Sequence, residues 1–256
     1  MASPRLDGPE AGEQAVLELL AGGRLDASWL RLPVPHAGLQ LLPPIVGRAN
    51  VYCIGLNYRS HVAETGHELP AQPTVFLRDA DSLVGDGAAM IRPRVSSQFD
   101  FEGELAIVIG RGGRHISEEQ APAHVGALTC FNDGSLRDFQ KHSLAAGKNF
   151  NRSGACGPWL VLSNEVADFN RLGLCTRLNG HLVQQSNTQM LIHPIAKLVS
   201  YLSQIVELRT GDVIATGTPE GVGARRHPPL WLRPGDTVEV EIDGVGVLRN
   251  VVQDEP

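Results

Sequence analysis

The sequence has little lysine and no clustered basic charge. Lys141, Lys148 and Lys197 are its only lysines, and 22 basic residues stand against 28 acidic ones, a formal charge of −6. Nucleic-acid binders carry a basic patch or stripe, so no nucleic-acid partner is expected. Close-spaced cysteine pairs are also missing. Cys53, Cys130, Cys156 and Cys175 are scattered, which argues against a zinc ribbon and gives no sign of a disulfide framework. No apolar run reaches the roughly 18 residues of a membrane-spanning helix, so no membrane partner is expected either. The opening MASPRLDGPEAGEQ lacks the basic-then-apolar order of a secretory signal. A reducing, cytoplasmic setting is the resulting expectation.

What is present suits a globular chain. Its 256 residues and 42% hydrophobic content are enough for one main domain with a small addition. Gln14 to Leu20 can form a short helix that Gly22-Gly23 stops. Pro33, Pro35, Pro43 and Pro44 make 31–46 a set of short extended pieces. Residues 1–48 are therefore read as a small N-terminal appendage, and 49–256 as the main domain. There, VYCIGLNY and TVFLRD read as strands, and QFDFEGELAIVIGRGG as a longer one ending at Gly112-Gly113. A cap at Ser117, with Gln120 three residues on, predicts a helix through ISEEQAPAHV. Asn179-Gly180 sits between alternating arms as a hairpin turn. Ile195, Leu198, Val199, Leu202 and Ile205 form one face of a helix, and GDVIATGTP, GDTVEVEIDG and GVLRNVV read as strands. No βαβ rhythm runs through the chain, so the fold class is a β-dominated α+β domain.

Chemistry concentrates in a few places. Glu102 and Glu104 flank Gly103 in an apolar strand, on the face opposite Phe101 and Leu105, ~6–7 Å apart by two steps of strand rise. That face is either wet or compensated, since buried like charges are costly alone. Asp133 ends a second apolar run, and a third carboxylate would complete an all-oxygen site for Mg²⁺ or Mn²⁺. Lys148 lies among small residues and aromatics, where one ammonium can neutralise a carboxylate or enolate. His61 and Glu64 share a face if SHVAETGH makes one helical turn, a pairing suited to proton transfer or to a plain surface. GTPEGVG has no following lysine and no βαβ unit, so it reads as tight turns carrying the Thr218 hydroxyl. No G-x-S-x-G elbow exists.

These segments, in order, resemble the fumarylacetoacetate hydrolase family from about Val51 to the end: GLNYRSHVAE, PTVFLR, FEGELAIVIG, FNDGSLRDFQ, GKNF with GPW, LNG with VQQSNT, GDVIATGTPEGVG and GDTVEVEIDGVGVLRN. The resemblance implies a rolled mixed β-sheet like that family's C-terminal domain, a homodimer, and a divalent metal, Mg²⁺ or Mn²⁺. It implies Glu102, Glu104 and Asp133 as ligands, Lys148 beside the metal, and His61 with Glu64 as a dyad on a segment that closes over the site. Arg137, Gln140 and Thr218 then hold the 2-oxo-carboxylate end of a small 2-oxo acid substrate. The chain departs from the family's usual pattern at Leu56, at Asn151-Arg152-Ser153 and in the short Gln140–Lys148 connection. On this footing 49–256 is a metal-dependent catalytic domain. Its expected reaction is hydrolytic C–C cleavage of an acylpyruvate or related β-diketo acid, releasing pyruvate and a carboxylic acid. The alternatives are oxaloacetate decarboxylation, oxaloacetate keto–enol tautomerisation, and a hydratase or isomerase acting on 2-oxo acids. The VQQSNT and GTPEGVG stretches sit closest to the tautomerase-like branch.

Overall fold

The computed structural model describes residues 16–18, 21, 41–45 and 49–256. The appendage expected over 1–48 lies mostly outside the described residues, as do the extended pieces expected over 31–40 and most of the short helix expected at 14–20.

In chain order the first half holds β1 (Val51–Gly55), α1 (Arg59–Thr65), β2 (Thr74–Arg78), β3 (Leu83–Val84), β4 (Met90–Arg92), β5 (Phe99–Asp100), β6 (Gly103–Ile109) and β7 (Val125–Asn132). The second half holds β8 (Ser135–Leu136), α2 (Arg137–Gln140), α3 (Leu144–Lys148), β9 (Gly154–Leu162), β10 (Gly173–Leu178), β11 (His181–Asn187), α4 (Ile195–Ile205), β12 (Val213–Ala215), β13 (Thr237–Ile242) and β14 (Gly246–Asp254). A seven-stranded sheet runs β2-β1-β12-β6-β7-β9-β3, and a five-stranded sheet runs β11-β10-β13-β14-β4. Both are mixed: β1–β12, β3–β9 and β4–β14 pair parallel, and the other pairs are antiparallel. This is the expected β-dominated α+β fold with a rolled mixed sheet.

β6 shows how the sheet is held. Leu105, Ile107 and Ile109 enter the main core with Leu174, Val240 and Leu248 of the five-stranded sheet. Ala106 and Val108, on the opposite face, join Val51, Cys53, Ala127 and Val213 in a second cluster. A strand buried on both faces must be apolar on both, which GELAIVI is after Glu104. Each buried Leu or Ile contributes about 1.5–3 kcal/mol.

The run from Phe99 to Ile109 is not one strand. It breaks at Phe101 and Glu102, because β5 leaves the sheet to pair with β8. The Glu102 backbone instead meets Asn132 and Asp133: its N–H donates to Asn132 Oδ1 at 3.1 Å, and its carbonyl accepts from the Asp133 N–H at 2.9 Å. That break carries Glu102 beside the end of β7. One residue on, Gly103 lies against β10 so closely that a methyl group there would sit 2.0 Å from Thr176 Oγ1. A side chain at this position would have to displace that of Thr176.

Two other expectations change. The helix predicted from Ser117 is a turn followed by a short 3-10 helix at Ala121–His124. Pro122 has no N–H to continue an α-helical ladder, and the His124 ring is drawn inward to the Arg111 carbonyl at 2.6 Å. On α4, Ile195, Leu198, Val199 and Leu202 are buried as expected, but Ile205 ends the helix 56% exposed. The hairpin holds: Asn179 and Gly180 both have positive φ, 52° and 79°, joining β10 to β11, as a tight two-residue turn requires.

Candidate functional site

The ends of β6 and β7 bring three carboxylates together. Glu102, Glu104 and Asp133 each offer one oxygen within 4.8 Å of the others. Their exposures are 6%, 2% and 1%, so the solvent-facing reading of Glu102 and Glu104 does not hold. They floor a cleft of about 690 Å³ that every site residue expected from the sequence lines, except Glu64.

Charge around this floor does not balance. Lys148 Nζ donates to Glu102 Oε2 at 2.6 Å and to Asp133 Oδ2 at 2.5 Å. Arg78 Nη1 donates to the other oxygen of Asp133 at 2.6 Å. Arg137 Nε donates to Asp100 Oδ2 at 2.8 Å, and its Nη2 lies 2.5 Å from Glu102 Oε1. That last contact is an ion pair, and Nη2 has no aligned hydrogen-bond partner. Three cations therefore face four carboxylates, Asp100 included. The surplus falls on Glu104, which accepts a hydrogen bond from the Gly217 N–H at 2.8 Å. Burial, then the Asp133 and Glu102 charges, push its carboxyl well above the ordinary range. Burial acts the same way on Glu102, but Arg137 and Lys148 outweigh it and hold that carboxyl low. For Lys148, burial favours the neutral amine, yet Asp133 and Glu102 prevail and keep the ammonium charged. A buried all-oxygen trio with one uncompensated charge fits a hard divalent cation.

The dyad sits on α1 above this floor. His61 is buried, and its Nδ1 lies 3.2 Å from Glu64 Oε2, which leaves Nε2 as the free lone-pair site when Nδ1 carries the proton. Glu64 Oε1 accepts from the Gly221 N–H at 3.0 Å. Burial opposes ionisation of Glu64, but the His61 hydrogen bond and the Gly221 N–H lower its pKa. Ser60 also hydrogen-bonds Glu220, so α1 is fastened twice to the GTPEGVG turn. The helix ends at Gly66, whose φ of 73° suits the left-handed cap.

The remaining expected residues are partly committed. Gln140 Oε1 accepts from Arg137 Nη1 at 2.9 Å. Thr218 Oγ1 donates to the Gly103 carbonyl at 2.9 Å and accepts from Gln184 Nε2 at 2.8 Å. Thr218 thus ties the turn to β6 as well as lining the cleft. Leu56, at a positive φ of 57°, lines the cleft too.

Sequence reasoning missed three supporting residues. Arg78 is wholly buried and also donates to Ser153 Oγ at 2.9 Å, so the Asn151-Arg152-Ser153 departure touches Asp133 through Arg78. Asp100 accepts from the Gly223 and Ala224 N–H groups as well as from Arg137. Gln184 accepts from the Gly103 N–H at 2.9 Å while donating to Thr218. A charged residue inside the apolar strand TVFLR was the one available signal for Arg78.

Comparison with known proteins adds to this geometry. Residues 50–253 match the family model described as fumarylacetoacetate (FAA) hydrolase C-terminal. A mitochondrial oxaloacetate tautomerase of Bos taurus is 38% identical over 93% of this chain and 80% of its own. One of Homo sapiens is 40% identical over 87% of this chain and 72% of its own. Among solved structures, fumarylpyruvate hydrolase from Pseudomonas aeruginosa, in complex with Mn²⁺ and pyruvate, is 33% identical with a TM-score of 0.74, covering 88% of this chain and all of that one. Both mammalian relatives are mitochondrial, which overturns the cytoplasmic expectation. That expectation rested on a missing secretory pattern, whereas organelle-targeting segments are amphipathic and rich in Arg and Ser. Matched from residue 50 to residue 253, with FEGE and FND converging on one buried carboxylate trio, the chain belongs to the fumarylacetoacetate hydrolase family.

Proposed function

We propose that this protein interconverts the keto and enol forms of oxaloacetate, with Glu102, Glu104 and Asp133 holding a divalent cation, Mg²⁺ or Mn²⁺. The observation that carries the reading is one cleft in which a Glu64-oriented imidazole stands over a carboxylate trio flanked by Lys148 and Arg137. Keto–enol exchange needs a proton carrier and a charge stabiliser. Acylpyruvate cleavage needs, in addition, a positioned water and room for an acyl product. Likeness to the two oxaloacetate tautomerases supports the simpler reaction.

When bound, the cation supplies Lewis-acid stabilisation of negative charge on the substrate's oxygens. The Arg137 Nη2 donor, with Gln140 beside it, binds the carboxylate next to the keto group. His61 Nε2 takes a proton from the adjacent methylene, and Glu64 stabilises the imidazolium that results. Lys148 meets the charge that grows on the keto oxygen. His61 then delivers the proton to that oxygen, so the product is an isomer and no co-reactant is consumed. The two fastenings of α1 keep bulk water from the proton in transit.

The test follows oxaloacetate by NMR with metal-loaded protein. Approach to keto–enol equilibrium faster than with metal alone is expected, without CO₂ or pyruvate. A rate equal to metal-only controls removes the proposal. Acylpyruvate cleavage is the second reading, supported by likeness to the fumarylpyruvate hydrolase; pyruvate release from acylpyruvates faster than tautomer exchange puts it first.

A further inference from the structure

We infer that Arg225 and Lys141 form a second anion-binding subsite at the mouth of the cleft, one that holds the distal carboxylate of a dicarboxylic substrate. The inference rests on the reading that a 2-oxo acid head occupies the floor.

Both side chains are exposed and line the same cleft as the carboxylate trio. The floor's cations serve the carboxylates there and the substrate's head. Lys148 lies between Glu102 and Asp133, Arg78 is bound to Asp133, and Arg137 to Asp100 and Glu102. Lys141 and Arg225 have no ion-pair partner among the described residues. The carboxylate that Arg225 does influence is Glu64, which it helps to hold low, and Glu64 is committed to His61 and the Gly221 N–H. Every acidic residue lining the cleft is at the floor. The mouth is thus cationic on a chain whose net charge is negative.

The same cleft is also lined by apolar surface from Leu56, Leu144 and Trp231. A substrate suited to buried carboxylates, apolar lining and two exposed cations has a chelating 2-oxo head, a short uncharged middle and a second anion. Exposed cations of this kind add selectivity and encounter rate more than raw affinity. A substrate with only one carboxylate leaves the pair unused.

Malate and lactate separate the subsite from catalysis. Both carry a 2-hydroxycarboxylate head, only malate has the distal carboxylate, and neither can enolise. Calorimetry on Mg²⁺-loaded protein is expected to show malate binding about 10-fold tighter than lactate at low salt, a preference that shrinks as salt screens the pair. In Arg225→Gln/Lys141→Gln the malate-to-lactate ratio falls towards one, and Arg225→Glu takes it below one. Exposed positions make loss of folding a small risk, and an unchanged Tm checks it. The inference is overturned if the wild-type protein shows no preference, or if the double variant keeps it. It is also overturned if neither ligand binds, because the floor then does not take the head. If malate is preferred but oxaloacetate exchange is no faster than with metal alone, the subsite stands and the tautomerase reading fails.

Discussion

Replacing Arg78 tests whether the carboxylate floor depends on its buried support. Arg78 makes five hydrogen bonds from a side chain with no exposed surface: to Ser82 Oγ and carbonyl, Asp133 Oδ1, the Gly134 carbonyl and Ser153 Oγ. Arg78→Met removes the cation and leaves one oxygen of Asp133 facing apolar volume. Breaking a buried pair from one side costs about 3–5 kcal/mol. For a chain of this length that is a fall in Tm of roughly 6–20 °C. Arg78→Lys keeps a charge but not the fork, and should lose about half as much. Metal affinity should drop about 10–100-fold in both variants, the usual effect of freeing a ligand from the group that orients it. Urea denaturation with and without Mg²⁺ measures the first quantity, and metal titration by calorimetry measures the second. An Arg78→Met protein within about 1 kcal/mol of wild type, with unchanged metal affinity, refutes the argument.

Three further outcomes are expected. His61→Ala should slow oxaloacetate tautomer exchange by about 10²-fold or more while leaving Mg²⁺ affinity intact, and Glu64→Gln should do the same more mildly; wild-type exchange in His61→Ala makes the histidine a bystander. Glu102→Gln and Asp133→Asn should each weaken divalent-metal binding in calorimetry without unfolding the protein, and chelation should abolish activity in the parent; unchanged affinity in both variants moves the metal elsewhere. Ser60→Ala should loosen α1 from the GTPEGVG turn, seen as faster amide exchange across 59–65 than elsewhere in the chain; uniform exchange would mean that Ser60–Glu220 fastens nothing.

The candidate site residues were readable because each lies in a short local pattern. Glu102, Glu104 and Asp133 interrupt apolar runs, and burial of such runs forces the carboxylates inward with them. The i, i+3 spacing of His61 and Glu64 needed only one helical turn, which α1 supplies. Asn179-Gly180 fixed its hairpin for the same local reason. Arg78, Asp100 and Gln184 were not readable, because their importance comes from strand order. Arg78 is 55 positions from Asp133, and only the sheet places β2 near the end of β7. The break at Phe101 and Glu102 was hidden too: it depends on β5 pairing with β8, and the alternating pattern runs straight across it. The reaction was the least local property. Hydrolysis and enolisation need the same head-holding residues; the motifs put hydrolytic cleavage first, whereas likeness to oxaloacetate tautomerases favours the alternative.

The close approach of Gly103 to Thr176 constrains how such a site can be altered. Gly103 bears no functional group, yet it stands between two candidate ligands where β6 and β10 nearly touch. Enlarging it would press on the Thr176 side chain from a position between Glu102 and Glu104, so its effect on the carboxylate trio would exceed that of many polar changes nearby. Thr176 carries the complementary burden, since its buried hydroxyl has no hydrogen-bond partner there. The two positions therefore behave as one hereditary unit. In laboratory evolution, a larger residue at 103 should survive only alongside a smaller one at 176, and the Glu-Gly-Glu tripeptide should move between descendants as a single cassette.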